Sequence, residues 1–308
     1  MSTRPEAPPA ASVIIPTRNR PEQLTACLEC VARIEPPEGG FEAIVVDDGG
    51  DLPLDDIVAA VRDRLDVTLV RAPHAGPAAA RNAGIHRSRG DVLAFTDDDC
   101  CPRPGWLRAL MDRLETAPTA LVGGRTVNTL AASTCSEASQ LIADLVYSHY
   151  NAEPERARFL ASNNLAARAD AFRAAGSFDP AFRTSEDREL CDRWRLGGRP
   201  LLFAPEAIVE HEHRLSPLRF GAQHFGYGRG AYRYHRARAL RSSGRIRDEM
   251  DFYLRLPGLL REALPRVAPR RLPAMAGLLV LWQAANAAGF GWEAASALGG
   301  EPADPGGL

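Results

Sequence analysis

Ala94-Phe95-Thr96-Asp97-Asp98-Asp99-Cys100 runs an apolar strand straight into three adjacent carboxylates. Val92 to Phe95 have strand character, and Pro102, Pro104 and Gly105 then hold a loop open before Trp106-Leu107 begins a helix. Neighbouring carboxylates repel one another, and at the end of a buried strand that repulsion is costly unless a cation relieves it. Oxygen ligands suit Mg²⁺ or Mn²⁺, ions that bind one or two carboxylates together with substrate phosphates. Taken alone, the triplet is equally an acidic turn in which Asp97 or Asp99 caps the next helix. The surrounding segments decide between the two.

Upstream, Ser12-Val13-Ile14-Ile15-Pro16 is short, β-branched and apolar, as a buried parallel strand should be. Pro21 suits a first helical position, and Leu24, Cys27, Leu28 and Val31 form one stripe at helical spacing. A second strand, Phe41 to Val46, again ends in carboxylates, Asp47-Asp48, before Gly49-Gly50. Ile57, Val58, Val61 and Leu65 mark a further helix, and Val67 to Val70 a third strand. This alternation predicts an α/β, Rossmann-like, open and mostly parallel sheet with helices on both faces. Ligands bind outside the carboxyl ends of such strands, where both acidic groups fall. No G-x-G-x-x-G follows the first strand, which disfavours a dinucleotide site.

The 308 residues are 45% apolar and 25% charged, ordinary for a globular protein, and a net charge of −2 offers no whole-chain case for nucleic acid. All 37 basic residues are Arg, which also excludes a lysine-dependent phosphate loop. Residues 214–271 hold fourteen of them against four acids, a local +10 that points to an anionic membrane surface or a phosphate-bearing substrate. The start of the chain, MSTRPEAPPAA, is polar and proline-rich, with no apolar run of a secretory signal. Cys27 and Cys30 form a lone C-x-x-C, Cys100 and Cys101 are adjacent, and Cys135 and Cys191 stand alone; the expectation is reduced thiols in a cytoplasmic protein rather than a zinc site.

Four motifs in order, Val-Ile-Ile-Pro-Thr-Arg-Asn-Arg (13–20), Val-Val-Asp-Asp-Gly-Gly (45–50), Gly-Pro-Ala-Ala-Ala-Arg-Asn-Ala-Gly (76–84) and Thr-Asp-Asp-Asp (96–99), resemble family 2 glycosyltransferases. The likeness continues at 162–166, 176–179, 185–187 and 209–213, and covers roughly 11–235. The resemblance implies bacterial, inverting enzymes of GT-A fold that use nucleotide-sugar donors, with uridine diphosphate the commonest leaving group. It assigns Pro16, Thr17, Arg18 and one of Asp47 and Asp48 to base and ribose. Arg81 would lie near the strand ends in the same nucleotide site, although a small-residue helix with a solvated Arg reads the same way. Asp99 would hold Mn²⁺ or Mg²⁺, with Asp97 or Asp98 on the ribose and Asp97 a second ligand. His211 is the candidate histidine for the metal or diphosphate, with His213 in reserve; two residues apart, they share a face if the strand continues. Asp187 would be the general base for the acceptor hydroxyl, with Glu186 orienting the acceptor. Both acids also suit the first turn of a helix without any catalytic role.

The expected domains are a polar, disordered 1–10, a catalytic domain over 11–235, a helical extension over 236–298 that is Arg-rich and then apolar, and a disordered tail over 299–308. Pro217 to Leu240 is apolar on two sides, as a helix wedged between layers would be, but its glycines argue against regularity. Leu272 to Phe290 reads as a helix docked on the protein or lying in a membrane interface, its Gln283 and Asn286 making a full span marginal. Location on the inner face of the cell membrane and a lipid-linked or glycan acceptor would follow. A nucleotidyltransferase, releasing pyrophosphate, and a silent sugar-nucleotide-binding protein are the rival functions.

Overall fold

The computed structural model describes residues 7–299; the disorder expected at the two ends falls largely on 1–6 and 300–308, outside the described residues. In chain order the elements are β1 (Ala11–Thr17), α1 (Pro21–Val31), β2 (Phe41–Asp48), α2 (Asp55–Ala59), β3 (Val67–Ala72), α3 (Pro77–Arg87), β4 (Val92–Thr96), β5 (Cys100–Pro102) and α4 (Trp106–Thr116). They continue with β6 (Leu121–Asn128), α5 (Thr134–Tyr150), β7 (Asn164–Arg168), α6 (Ala169–Ala174), α7 (Glu186–Leu196), β8 (Leu201–His211), α8 (Pro217–Arg241), α9 (Met250–Ala263) and α10 (Leu272–Gly299). These elements fall into two compact units. The first gathers the chain up to Thr129 with Asn151–Arg183 and Leu190–Glu212; the second gathers Leu130–Tyr150, Thr184–Glu189 and the chain from His213 onward.

The first unit carries the sheet, whose order is β3-β2-β1-β4-β7-β6-β8-β5. β3, β2, β1 and β4 are parallel neighbours, as the strand–helix alternation predicts. Beyond β4 the sheet is mixed: β7 runs antiparallel to β4 and β6, β8 is parallel to β6, and β5 is antiparallel to β8. The side-chain period of two sends alternate residues to opposite faces. Val13, Ile15, Val92 and Ala94 join α1 and α4 on one face, while Ile14, Leu93 and Phe95 join α3 and α6 on the other. Phe95 is fully buried against Phe172 and Phe178, with ring centroids 5.2 Å and 5.3 Å away. Truncating such a residue costs about 3–5 kcal/mol. It anchors the strand whose next residues are the acidic triplet.

α3 can lie unusually close to the sheet because of its small residues. A Cβ at Gly84 would meet Ile14 Cγ2 at 2.5 Å, so any side chain there would push the helix away. That approach buries Arg81, at 2% exposure, and removes the solvated alternative.

The expectation of wholly reduced thiols is corrected. Cys30, at the end of α1, and Cys101, in β5, form a disulfide across 71 residues of sequence, with Cα atoms 5.2 Å apart. Neither the C-x-x-C spacing nor the Cys100-Cys101 pair showed this, because the partners meet only once α1 packs beside β5. Cys27, Cys100, Cys135 and Cys191 are free and buried. The bridge withdraws the support that reduced thiols lent to a cytoplasmic location.

In the second unit α5, α8, α9 and α10 share a core that includes Ile142, Phe220, Phe252, Met275, Leu278 and Trp282. α8 is one continuous helix of 25 residues despite its glycines. Their role is close packing: a Cβ on Gly228 would lie 2.1 Å from the Asn286 carbonyl, and one on Gly230 would lie 2.3 Å from Thr184 Oγ1. Propensity loses here to tertiary packing.

Candidate functional site

The carboxyl ends of β1, β2, β4 and the end of β8 assemble the first cluster. Parallel register sets Thr17 beside Asp47. Thr17 Oγ1 also donates to Asp98 Oδ2 at 2.7 Å, which joins the end of β1 to the acidic triplet. Burial pushes the Asp98 carboxyl up to about 6, against the pull of Arg20 and the Thr17 hydroxyl, while Asp99 and Asp97 add to the rise. A buried acid crowded by two others is a place where a cation is stabilising.

The antiparallel pairing of β5 with β8 sets His211 opposite Cys100. His211 Nε2 thereby lies 3.2 Å from Asp99 Oδ1. Burial alone would lower the His211 pKa, but the hydrogen bond to Asp99 and the charges of Asp99 and Asp97 outweigh it and raise it. Ligand atoms of Asp99, Cys100 and His211 all lie within 4.8 Å of one another. Burial and the neighbouring acids hold the Cys100 thiol well above its usual range, so the effective donors are a carboxylate and an imidazole. A carboxylate beside an imidazole is a donor set that suits a divalent cation. A small recess of about 120 Å³ beside them is lined by Asp99, Glu210 and Glu212.

The other acids separate by what already holds them. Asp97 Oδ1 accepts from Arg81 Nη2 at 2.6 Å, and the Arg81 guanidinium carbon stands 5.6 Å from the Phe178 ring centroid. Asp97 is therefore tied to Arg81 and lies outside the Asp99–Cys100–His211 cluster. Asp48 serves the following loop: its oxygens accept from the backbone of Ala75 at 2.8 Å and Gly76 at 3.0 Å, and Oδ2 lies 2.8 Å from His74 Nδ1. Asp47 makes a tight turn with the Gly50 N–H at 2.8 Å, through Oδ1. Pro16 pairs with Val46 within β1, and Arg18 follows the strand in the exposed loop.

His213 does not continue the strand. β8 ends at His211, and His213 belongs to the second unit, its Nδ1 3.1 Å from Ser139 Oγ and its Nε2 3.2 Å from Gln223 Nε2. The shared face expected for the two histidines is lost with the strand. Asp187 and Glu186 also stand in the second unit, in the opening turn of α7. Ser185 before them is held at φ 67°, a left-handed value that a non-glycine residue adopts at a cost. Glu186 is buried, whereas Asp187 is partly exposed and accepts from the Arg188 N–H at 2.7 Å.

Sequence reading missed Arg20. Its Nη1 lies 3.2 Å from Asp98 Oδ1 and 3.3 Å from Asp99 Oδ2. Nothing in Thr-Arg-Asn-Arg distinguishes Arg20 from Arg18; only the turn of the loop into α1 aims one of them at the triplet.

Residues 12–174 match the model of glycosyl transferase family 2. The chain belongs to that family. Among its relatives is the pre-mycofactocin glycosyltransferase of Mycobacterium tuberculosis, 33% identical over 240 residues, covering 74% of this chain and 48% of that protein. The chain thus spans about half the length of that relative. The glycosyltransferase AglE of Haloferax volcanii is 30% identical over 210 residues, covering 67% of this chain and 68% of that one. Among solved structures, the mannosyltransferase PcManGT from Pyrobaculum calidifontis, in complex with GDP-Man and Mn²⁺, aligns with a TM-score of 0.63 at 20% identity, covering 94% of this chain and 81% of that one. At that identity the likeness establishes the GT-A fold of the family.

Proposed function

We propose that this family 2 chain is a metal-dependent, inverting glycosyltransferase that moves a sugar from a nucleoside-diphosphate donor to an acceptor hydroxyl. The observation that carries the reading is Asp99 facing His211 at 3.2 Å beside the buried Asp98, all at strand ends. Asp99 and His211 would hold Mn²⁺ or Mg²⁺, and the bound ion would supply Lewis-acid stabilisation of the departing diphosphate. Thr17 and Asp98 line the ribose, with Asp97 fixed in place by Arg81. Of the two acids after β2, Asp47 is the better partner for the base, because Asp48 spends both oxygens on residues 74–76. Pro16 and Arg18 flank the base. Asp187 takes the proton from the acceptor hydroxyl as that oxygen bonds to the anomeric carbon and the bond to the diphosphate breaks on the opposite face. Glu186 orients the acceptor.

Uridine is the expected base, and guanosine is the alternative raised by the donor of PcManGT. Calorimetric titration of UDP- and GDP-sugars, with Mn²⁺ and with chelator, tests the donor reading. Donor affinity should depend on the ion and should fall at least tenfold in Asp99→Ala. Equal affinity with and without ion, together with an unaffected variant, would remove the metal assignment.

A membrane-proximal acceptor is favoured by the second unit. α9 presents Met250, Tyr253 and Leu254 outward at 51%, 49% and 76% exposure, between the exposed Arg245 and Arg247 and the exposed Arg261. Pro269–Leu298 is long and apolar enough to cross a membrane, and only 22% of its most apolar stretch is buried. Apolar side chains among exposed arginines suit an anionic bilayer surface. Co-sedimentation with anionic vesicles at low salt that is lost at high salt supports this, whereas no binding at low salt makes the acceptor a soluble one.

A further inference from the structure

The two arginines at the acidic triplet are held in opposite ways. Arg81 is locked, its side chain 3% exposed and paired with Asp97 at 2.6 Å. Arg20 is 53% exposed, on the residue just before α1, yet one of its nitrogens bridges Asp98 and Asp99. Asp99 is thereby divided: Oδ1 faces His211 at 3.2 Å, and Oδ2 faces Arg20 at 3.3 Å. A divalent ion that takes Asp99 and His211 as ligands must share a ligand carboxylate with a guanidinium. Two cations that close repel one another. An arginine on a long stem with half its surface in solvent can leave, and the group best able to receive it is a diphosphate, which a guanidinium fork grips in bidentate fashion.

We propose that Arg20 is the resident counter-cation of the triplet, neutralising Asp98 and Asp99 before the ion arrives and turning to the donor's diphosphate when ion and nucleotide bind together. This rests on the donor-site reading above and adds a coupling to it. The free protein should bind the ion weakly, because Arg20 must first be displaced. The diphosphate draws Arg20 away and so tightens ion binding, and by linkage the ion tightens nucleotide binding by the same factor. A merely structural ion pair predicts otherwise: its loss would loosen the loop and leave ion affinity unchanged or weaker.

The test measures Mn²⁺ binding by electron paramagnetic resonance, without nucleotide and with saturating UDP or GDP, in the wild-type protein, Arg20→Gln and Arg20→Lys. In Arg20→Gln, Mn²⁺ alone should bind about tenfold more tightly, since a competing charge is gone. Affinity for UDP or GDP at saturating Mn²⁺ should fall about tenfold as a charge-assisted contact is lost. The coupling between ion and nucleotide should shrink accordingly. Arg20→Lys keeps a charge and should fall between, which preserves the test if the glutamine variant does not fold. Mn²⁺ affinity that is unchanged or weaker in a folded Arg20→Gln, or wild-type coupling in that variant, overturns the proposal while leaving the glycosyltransferase reading intact. A wild-type protein that binds neither Mn²⁺ nor nucleotide overturns both.

Discussion

The Cys30–Cys101 bridge ties α1 to β5, the strand that begins one residue after Asp99, so its removal should be felt in stability and at the site. The partners are 71 residues apart in sequence. On the chain-entropy account, closing a loop of that length restricts the unfolded state by about 4 kcal/mol at 25 °C. For a unit of this size each kcal/mol moves the melting temperature by roughly 2–4 °C, so losing the bridge should lower it by about 10 °C. The perturbation is Cys101→Ser, and in parallel the wild-type protein in dithiothreitol. Calorimetry with Mn²⁺ chelated gives the stability, and thiol titration under denaturing conditions should count four thiols in the oxidised protein, Cys27, Cys100, Cys135 and Cys191. The reduced protein should also bind Mn²⁺ less tightly, because β5 then holds Cys100 opposite His211 with one anchor fewer. Six titratable thiols in the protein as purified under air, or a melting temperature that dithiothreitol does not move, would refute the bridge and the stability assigned to it.

Two further outcomes are expected. Asp187→Asn should leave donor binding nearly intact while transfer falls by roughly two to four orders of magnitude, the scale of a lost general base, with an inverted anomeric centre read by NMR in the wild-type product; transfer at the wild-type rate would make Asp187 only a helix-terminal acid. His224 should make the protein acid-sensitive. It is 3% exposed, packed against the rings of Phe220 and Trp282, and burial holds its pKa down to about 4. A depressed pKa contributes stability that is present above the unfolded value near 6.5 and is lost as pH falls toward 4. Between pH 7.5 and 5 that loss is about 2 kcal/mol, and His224→Phe should remove it from urea-denaturation curves. Identical pH dependence in the variant would sink this assignment.

Much of the fold was legible because its signals are local. Short β-branched runs alternating with helical stripes specify parallel strands crossed by helices, and this alone sends Asp47, Asp48 and Asp97–Asp99 to the same edge. The order of the motifs then carried the family and the candidate acids. What stayed hidden depends on contacts between distant segments. The antiparallel return of β8 along β5, not the spacing of two histidines, puts His211 against Asp99 and leaves His213 elsewhere. That Asp48 is engaged by residues 74–76 while Asp47 turns to Gly50 was invisible in the adjacent pair. Arg20 and Arg18 are equivalent in sequence, and only the path of the loop into α1 gives one of them two carboxylates. Cys30 and Cys101 meet only because α1 packs beside β5. The glycines of α8, unfavourable by propensity, became tolerable once α10 and residues 184–185 filled the space where their side chains would have been. A chain shows its periodicities to a reader of sequence, whereas the pairing of side chains far apart along it is fixed only by register and packing.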